Sequence, residues 1–260
     1  ISPGFIDTHV HSDAILLTKP QHAQSLRQGI TTEILGQDGL SFAPLSPENY
    51  KEYSLYLSGI LGYPPENLDM SSVSAFRSHY KGVGVNTAYL VAHGAVRLEV
   101  AGFHDVPLDK NLLAKAKRLV AQGMEQGAVG LATGLSYHPH AWSDTKEIVE
   151  LCETVRAAGG VYVTHLRDVN TDRAFGGGGV PEALEIGRQS GVKVHFSHYR
   201  THAHTAGKVV QQMSLIDQAK TEGMDITADL YPYPTGSTYP LSYLPSPTHE
   251  GGLAGLMERL

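Results

Sequence analysis

Short apolar runs recur along the chain, and each is followed by a loop and then by a segment whose apolar residues fall at helical spacing. The runs at 4–7, 31–35, 86–92, 128–131, 161–164, 192–196 and 225–228 have the length and local boundaries of buried strands. Between them, Leu112, Leu113, Ala116, Leu119, Val120 and Met124 share one helical face, as do Ile148, Val149, Leu151, Cys152 and Val155. Asp109 and Ser143 are expected to cap the starts of these two helices, and Gly127 and Gly159 stand where helix C-terminal glycines belong. Strands alternating with helices of this length predict a parallel α/β sheet, either open or closed as a (β/α)8 barrel. Seven strands are expected, and the helical segment 253–260 reaches the end of the sequence before an eighth.

Two stretches break the alternation. Residues 39–84 carry Pro44, Pro47, Pro64, Pro65 and several tyrosines, and are expected to form a helical insertion over one end of the sheet. Residues 231–252 carry five prolines and predict an ordered loop near a site. The glycine run Gly176 to Gly179 predicts a mobile loop and not a phosphate cradle, because no Lys-Ser/Thr follows it.

Composition narrows the function classes. Acidic residues outnumber basic ones by 26 to 20, so no basic block is available to follow a phosphate backbone or an anionic membrane. Cys152 is the one cysteine, which excludes an intramolecular disulfide and any all-cysteine metal site; a reducing cytoplasm is the simplest expected setting. No run approaches the roughly 18 apolar residues of a membrane span. The start, Ile1-Ser2-Pro3-Gly4, has neither an initiator Met nor a signal peptide, so the sequence is expected to begin inside a longer one.

Histidine is the compositional outlier, at 14 residues, and the positions of these side chains decide what they mean. His9 and His11 close the first apolar run. Residues two apart on a strand share a face, so both imidazoles aim at one mouth of the sheet, where one metal ion can take both. Asp38 follows the second strand, His165 ends the fifth, and His198 follows the sixth. The C-terminal ends of parallel strands converge on one rim of a barrel, so these five residues are the expected metal ligands.

The segments PGFIDTHVH, TTEILGQDGLSFAPL, ATGLSYHPHAWSDTKEIVELC, VTHLRD, VHFSHYRTH and ITADLYPYP, in collinear order over nearly the whole chain, resemble the D-aminoacylase (N-acyl-D-amino-acid deacylase) branch of the amidohydrolase superfamily. The resemblance implies a TIM-like (β/α)8 metal-dependent hydrolase barrel, truncated before strand eight, filling residues 1–260 without the small flanking β-domain. It implies one or two divalent ions, zinc by analogy, with His9 and His11 at the first position and His165 and His198 at the second. Many superfamily members bridge the ions with a carbamylated lysine from strand four, which has no lysine here; D-aminoacylases use a cysteine after strand two, where this sequence has Asp38. A carboxylate can bridge two ions, although it favours a harder metal or a weaker site than thiolate does.

The same resemblance implies hydrolysis of the amide bond of a small-molecule N-acyl-D-amino acid, with release of a carboxylate and a D-amino acid. The superfamily's proton-shuttling aspartate closes strand eight, and Asp229, after strand seven, does not correspond to it, so no catalytic proton carrier is named. Arg200 and Tyr231 are the expected partners of the substrate carboxylate, Tyr137 a wall of the acyl pocket, and His93 either a carbonyl contact or a core residue. His138, His140, His202 and His204 fall in loops and are expected to be solvated or incidental rather than catalytic. Two alternatives stay open: a cyclic-amide hydrolase of the dihydroorotase or hydantoinase kind, and a metal-binding fragment without turnover. An open barrel edge would favour a homo-oligomer or a second chain supplying the missing strand.

Overall fold

The computed structural model describes residues 1–200 and 206–260. Its strands are β1 (Phe5–Asp7), β2 (Ile30–Leu35), β3 (Asn86–Ala92), β4 (Gly130–Gly134), β5 (Val161–His165), β6 (Lys193–Phe196) and β7 (Ile226–Ala228). All pair in parallel and in chain order, β1-β2-β3-β4-β5-β6-β7. Parallel neighbours require a crossover. Helices supply it, among them Lys110–Glu125 between β3 and β4, Thr145–Ala157 between β4 and β5, Gly179–Ser190 between β5 and β6, and Val209–Thr221 between β6 and β7. The sheet curls until its two edges approach, with His9 Nδ1 just past β1 lying 3.5 Å from Asp229 Oδ2 just past β7. The architecture is a TIM-like barrel wall of seven strands among the described residues.

The period-two alternation of the strands divides the core. Leu90, Ala132 and Val163, from three adjacent strands, form an inner cluster with Ile34 and Val161 against it. The residues beside them in sequence, including Val91, Leu131 and Tyr162, join the larger cluster with Ala116, Val120, Ile148, Leu151, Cys152 and Val155 of the helices. Cys152 is therefore a core residue, fully buried.

Local signals need two adjustments. Strand four begins at Gly130 and runs to Gly134, later than the expected 128–131. Val129 is apolar but exposed, whereas the hydroxyl of Thr133 is buried and satisfied by Tyr162 Oη at 3.0 Å and Thr164 Oγ1 at 2.9 Å, so packing overrides propensity. Asp144, and not Ser143, caps the helix Thr145–Ala157, accepting from Glu147 N at 2.7 Å, while Ser143 Oγ donates to the His140 carbonyl. Asp109 caps the helix Lys110–Glu125 as expected, and Gly127 and Gly159 both adopt positive φ after their helices.

The insertion contributes the helices Pro47–Tyr56, Ser58–Leu61 and Val73–Ser78, which bury Tyr50, Tyr53, Tyr56 and Phe76. The proline-rich segment 231–252 is ordered and lies over the loop that follows β4. Ser246 Oγ accepts from Trp142 Nε1 at 2.8 Å and Asn170 Nδ2 at 3.1 Å, and meets His138 Nε2 at 2.9 Å. The His249 ring stacks on His138 at 4.1 Å between centroids, and Tyr56 Oη meets His249 Nδ1 at 2.6 Å. Of the two roles expected for the loop histidines, the solvated one fails for His138 and His140, which are 3% and 0% exposed. His202 and His204 lie outside the described residues.

The turn after β2 decides the shape of the mouth. Gly36, Asp38 and Gly39 all have positive φ, and a β-carbon on Gly36 would collide with the Leu90 carbonyl. Gly134 is constrained in the same way, because a β-carbon there would run into the Asp38 carbonyl. The turn thus occupies the space at the end of β4, leaving no room for a side chain at 134.

Two stability measurements follow. Gly134→Ala should destabilise the protein by about 1–3 kcal/mol in denaturant unfolding, as an overpacked contact against main chain does. His138 gives a pH signature: burial depresses its pKa from 6.5 to about 3, with the nearby His249 and Arg173 adding to the shift. Between these values the unfolded chain binds a proton that the folded chain refuses, so this contribution is complete above pH 6.5 and is lost as the pH falls toward 3. His138→Asn should flatten the acid side of the stability curve by up to about 1.4 kcal/mol per pH unit; an unchanged slope would contradict the buried, neutral state.

Candidate metal centre

Three strand ends deliver four imidazoles to one carboxylate. Asp38 Oδ2 lies 3.7 Å from His9 Nε2, 3.5 Å from His11 Nε2, 3.8 Å from His165 Nδ1 and 3.6 Å from His198 Nε2. These separations are too long for good hydrogen bonds. They match the edge of a zinc tetrahedron, since bonds of about 2.1 Å at a tetrahedral angle put two ligand atoms about 3.4 Å apart. His9, His11 and Asp38 form one group able to hold an ion, and Asp38, His165 and His198 a second, with Asp38 common to both.

The polar accounting agrees with this fit. Asp38 is 2% exposed and its Oδ1 has no hydrogen-bond partner, and His9 Nδ1 and His11 Nδ1 are likewise buried without one. Orphaned buried polar atoms are costly unless something compensates them. Burial opposes ionisation of Asp38, yet the facing imidazoles outweigh it and hold the carboxyl well below the usual range. Burial also works against charge on His9, but Asp38 and Asp229 overcome it and raise that imidazole to about 10. The centre is built around negative charge and calls for positive charge in return.

Short-range structure holds each donor. His9 and His11 follow β1, where His9 N donates to Asp7 Oδ1 at 3.1 Å. The Asp38 turn is tied to β1 by Gln37 Nε2, which donates to the Thr8 carbonyl at 2.7 Å. It is also tied to Asp13, whose Oδ1 accepts from Gly36 N at 3.2 Å and Ser41 Oγ at 2.6 Å. His165 ends β5, and its Nδ1 meets His198 Nε2 at 2.9 Å. His198 has φ of 36°, and the Asp229 carboxylate receives its main-chain N–H.

Asp229 thus has more to do than its sequence position suggests. Its Oδ2 meets His195 Nε2 at 2.8 Å and approaches His9 Nδ1 at 3.5 Å, so it spans β6, β7 and β1. His195 is braced on its other nitrogen by Thr227 Oγ1 at 2.7 Å. Asp13 is a second unforeseen carboxyl, fully buried, whose pKa burial raises to about 6 against the hydrogen bond from Ser41. Sequence reasoning could have found His195, which shares a strand face with Ser197 at the rim; nothing local marks Asp13.

The four residues expected to surround a substrate fall in two places. The Arg200 guanidinium lies 5.0 Å from the centre of the Tyr231 ring, and Tyr231 in turn is 6.3 Å from the His198 ring. Tyr137 packs 5.0 Å from His165 between centroids, with its hydroxyl 3.3 Å from Thr238 Oγ1. These three border the imidazole cluster. His93 is 1% exposed, and its Nε2 meets Glu147 Oε1 at 3.0 Å within a buried network that includes Arg97. That position suits a core partner and not a carbonyl contact.

Comparison with known proteins follows the same lines. No family model matches the chain. It is 31% identical over 250 residues to a D-aminoacylase of Alcaligenes xylosoxydans xylosoxydans, covering 92% of this chain and 48% of that protein. It is 34% identical over 242 residues to the N-acyl-D-glutamate deacylase of the same organism, with the same coverages. Among solved structures, an N-acyl-D-glutamate deacylase from Bordetella bronchiseptica, complexed with zinc and a phosphonate mimic of the tetrahedral intermediate, superposes with a TM-score of 0.76 at 29% identity, over 89% of this chain and 48% of that one. The chain spans about half the length of the curated relatives it matches. With the collinear motifs, the curled parallel sheet and these matches in agreement, the chain belongs to the D-aminoacylase and N-acyl-D-amino-acid deacylase branch of the amidohydrolases.

Proposed function

We propose that the protein to which this chain belongs is a zinc-dependent hydrolase of N-acyl-D-amino acids, and that His9, His11, Asp38, His165 and His198 hold one or two ions. The observation that carries the reading is the single oxygen, Asp38 Oδ2, set 3.5–3.8 Å from four imidazole nitrogens drawn from three strand ends. A bound ion supplies Lewis acidity toward an amide carbonyl and toward water at neutral pH. The protein supplies the rest. Asp38 faces both halves of the cluster and fixes their spacing, while Asp229 braces His198 and His195. Arg200 offers a planar pair of donors to the substrate carboxylate, beside the Tyr231 hydroxyl. Tyr137 closes the side of the mouth nearest His165 and keeps the acyl group out of bulk water.

The relatives named above support the acyl-D-amino-acid substrate class. Cyclic-amide hydrolysis has less support, because β4 carries no lysine and the matched relatives are deacylases.

Elemental analysis after dialysis against metal-free buffer should find one or two equivalents of zinc or a similar divalent ion. His165→Asn should lower that stoichiometry, whereas His104→Asn, on an exposed histidine paired with Glu250, should not. Metal-free wild-type protein would sink the assignment. In a turnover assay following release of free amine, N-acyl-D-amino acids should be hydrolysed in preference to their L-enantiomers, and Asp38→Ala should reduce kcat/KM by at least about 10²-fold, the loss of a shared ligand exceeding that of its supporting hydrogen bonds.

A further inference from the structure

Asp38 is held in a conformation that it would not choose. Its φ of 57° and ψ of 18° lie in the left-handed region, which costs an L-residue about 1–2 kcal/mol, although Asp tolerates it better than most. Its side chain gains no anchoring hydrogen bond, since Oδ1 is unpartnered and Oδ2 stands more than 3.4 Å from every imidazole nitrogen. The carboxylate is therefore aimed by the main chain behind it. The main-chain carbonyl of Asp38 accepts from His140 Nε2 at 3.0 Å, and that imidazole is fully buried.

The other side of the His140 ring points to a second member. With Nε2 donating, Nδ1 must accept, but it has no partner, and the buried Tyr53 hydroxyl also has none. Both atoms face Gly94. A β-carbon on Gly94 would collide with the Tyr53 hydroxyl and would lie 2.8 Å from His140 Nδ1 and 2.6 Å from the Gly39 carbonyl. Glycine at 94 keeps open the polar space that joins the insertion helix Pro47–Tyr56 to the loop after β4.

We propose that Tyr53 and His140 form a positioning line for the metal centre, in which His140 Nε2–H fixes the main-chain carbonyl of Asp38 and the Tyr53 hydroxyl supports the ring from the polar space at Gly94 that it shares with His140 Nδ1. Neither residue touches an ion or substrate. They act through the orientation of the one carboxylate that both halves of the cluster share. This rests on the metal-centre reading above.

The test measures zinc affinity by competition with a chromogenic chelator, the visible spectrum of the cobalt-substituted protein, and the melting temperature of the metal-free protein. His140→Phe keeps the ring volume and removes the donor; it should weaken zinc binding by about 10–100-fold, the range for supporting partners of metal ligands, and shift the cobalt bands. His140→Gln, which can still donate, should recover most of the affinity. Tyr53→Phe deletes a single hydroxyl and should weaken zinc several-fold, which keeps the idea testable if the His140 variants fail to fold. Wild-type zinc affinity and cobalt spectra in both His140→Phe and Tyr53→Phe would overturn the positioning line while leaving the metal centre intact. Absence of zinc from the wild-type protein would overturn the metal reading and the positioning line with it.

Discussion

One buried carboxylate facing four imidazoles sets the terms for the rest of the molecule. Burying Asp38 at 2% exposure with one oxygen unpartnered is expensive unless positive charge lies beside it. The strand ends of β1, β5 and β6 bring imidazoles within 4 Å, and their carriers are fixed by parallel pairing, which places every C-terminal strand end on one rim. The curl of the sheet is what turns residues 9, 11, 165 and 198 into neighbours.

Holding that carboxylate in place shapes residues far from it in sequence. The turn Gln37–Gly39 has three positive-φ residues at or beside it, so it is tied down from several directions: Gln37 to β1, Gly36 and Ser41 to Asp13, and the Asp38 carbonyl to His140. Gly134 ends β4 without a side chain because the Asp38 carbonyl fills the space. Strand four carries no lysine, and the carboxylate of the cluster comes instead from the turn after β2.

The insertion and the proline-rich segment do for the opposite side of the mouth what the helices do for the outside of the sheet. Tyr53, Tyr56, Phe103 and Tyr239 pack together, and Ser246 and His249 fasten the covering segment to His138, Trp142 and Asn170. This cover makes a neutral, buried group of the loop histidine His138. It also separates a dry supporting layer, with His93, His140 and Glu147, from the part of the rim where Arg200 is exposed.

Read alone, the sequence determined the repeating strand–helix order, the seven strands, and the histidines and Asp38 at the strand ends, because periodicity and strand-end position are local properties carried by neighbouring residues. It also carried the family, through motifs spread along nearly the whole chain. The tertiary structure decided which polar residues support that centre. Asp13, His140, His195 and Asp229 gain their roles from partners on other elements, His140 lying 102 residues from Asp38 and Asp229 lying 34 from His195. The same holds for burial: His138 is dry because a segment about a hundred residues later folds over it, and His140 because the Asp38 turn and the helix after β3 pack against it, and no pattern within their own loop could encode that.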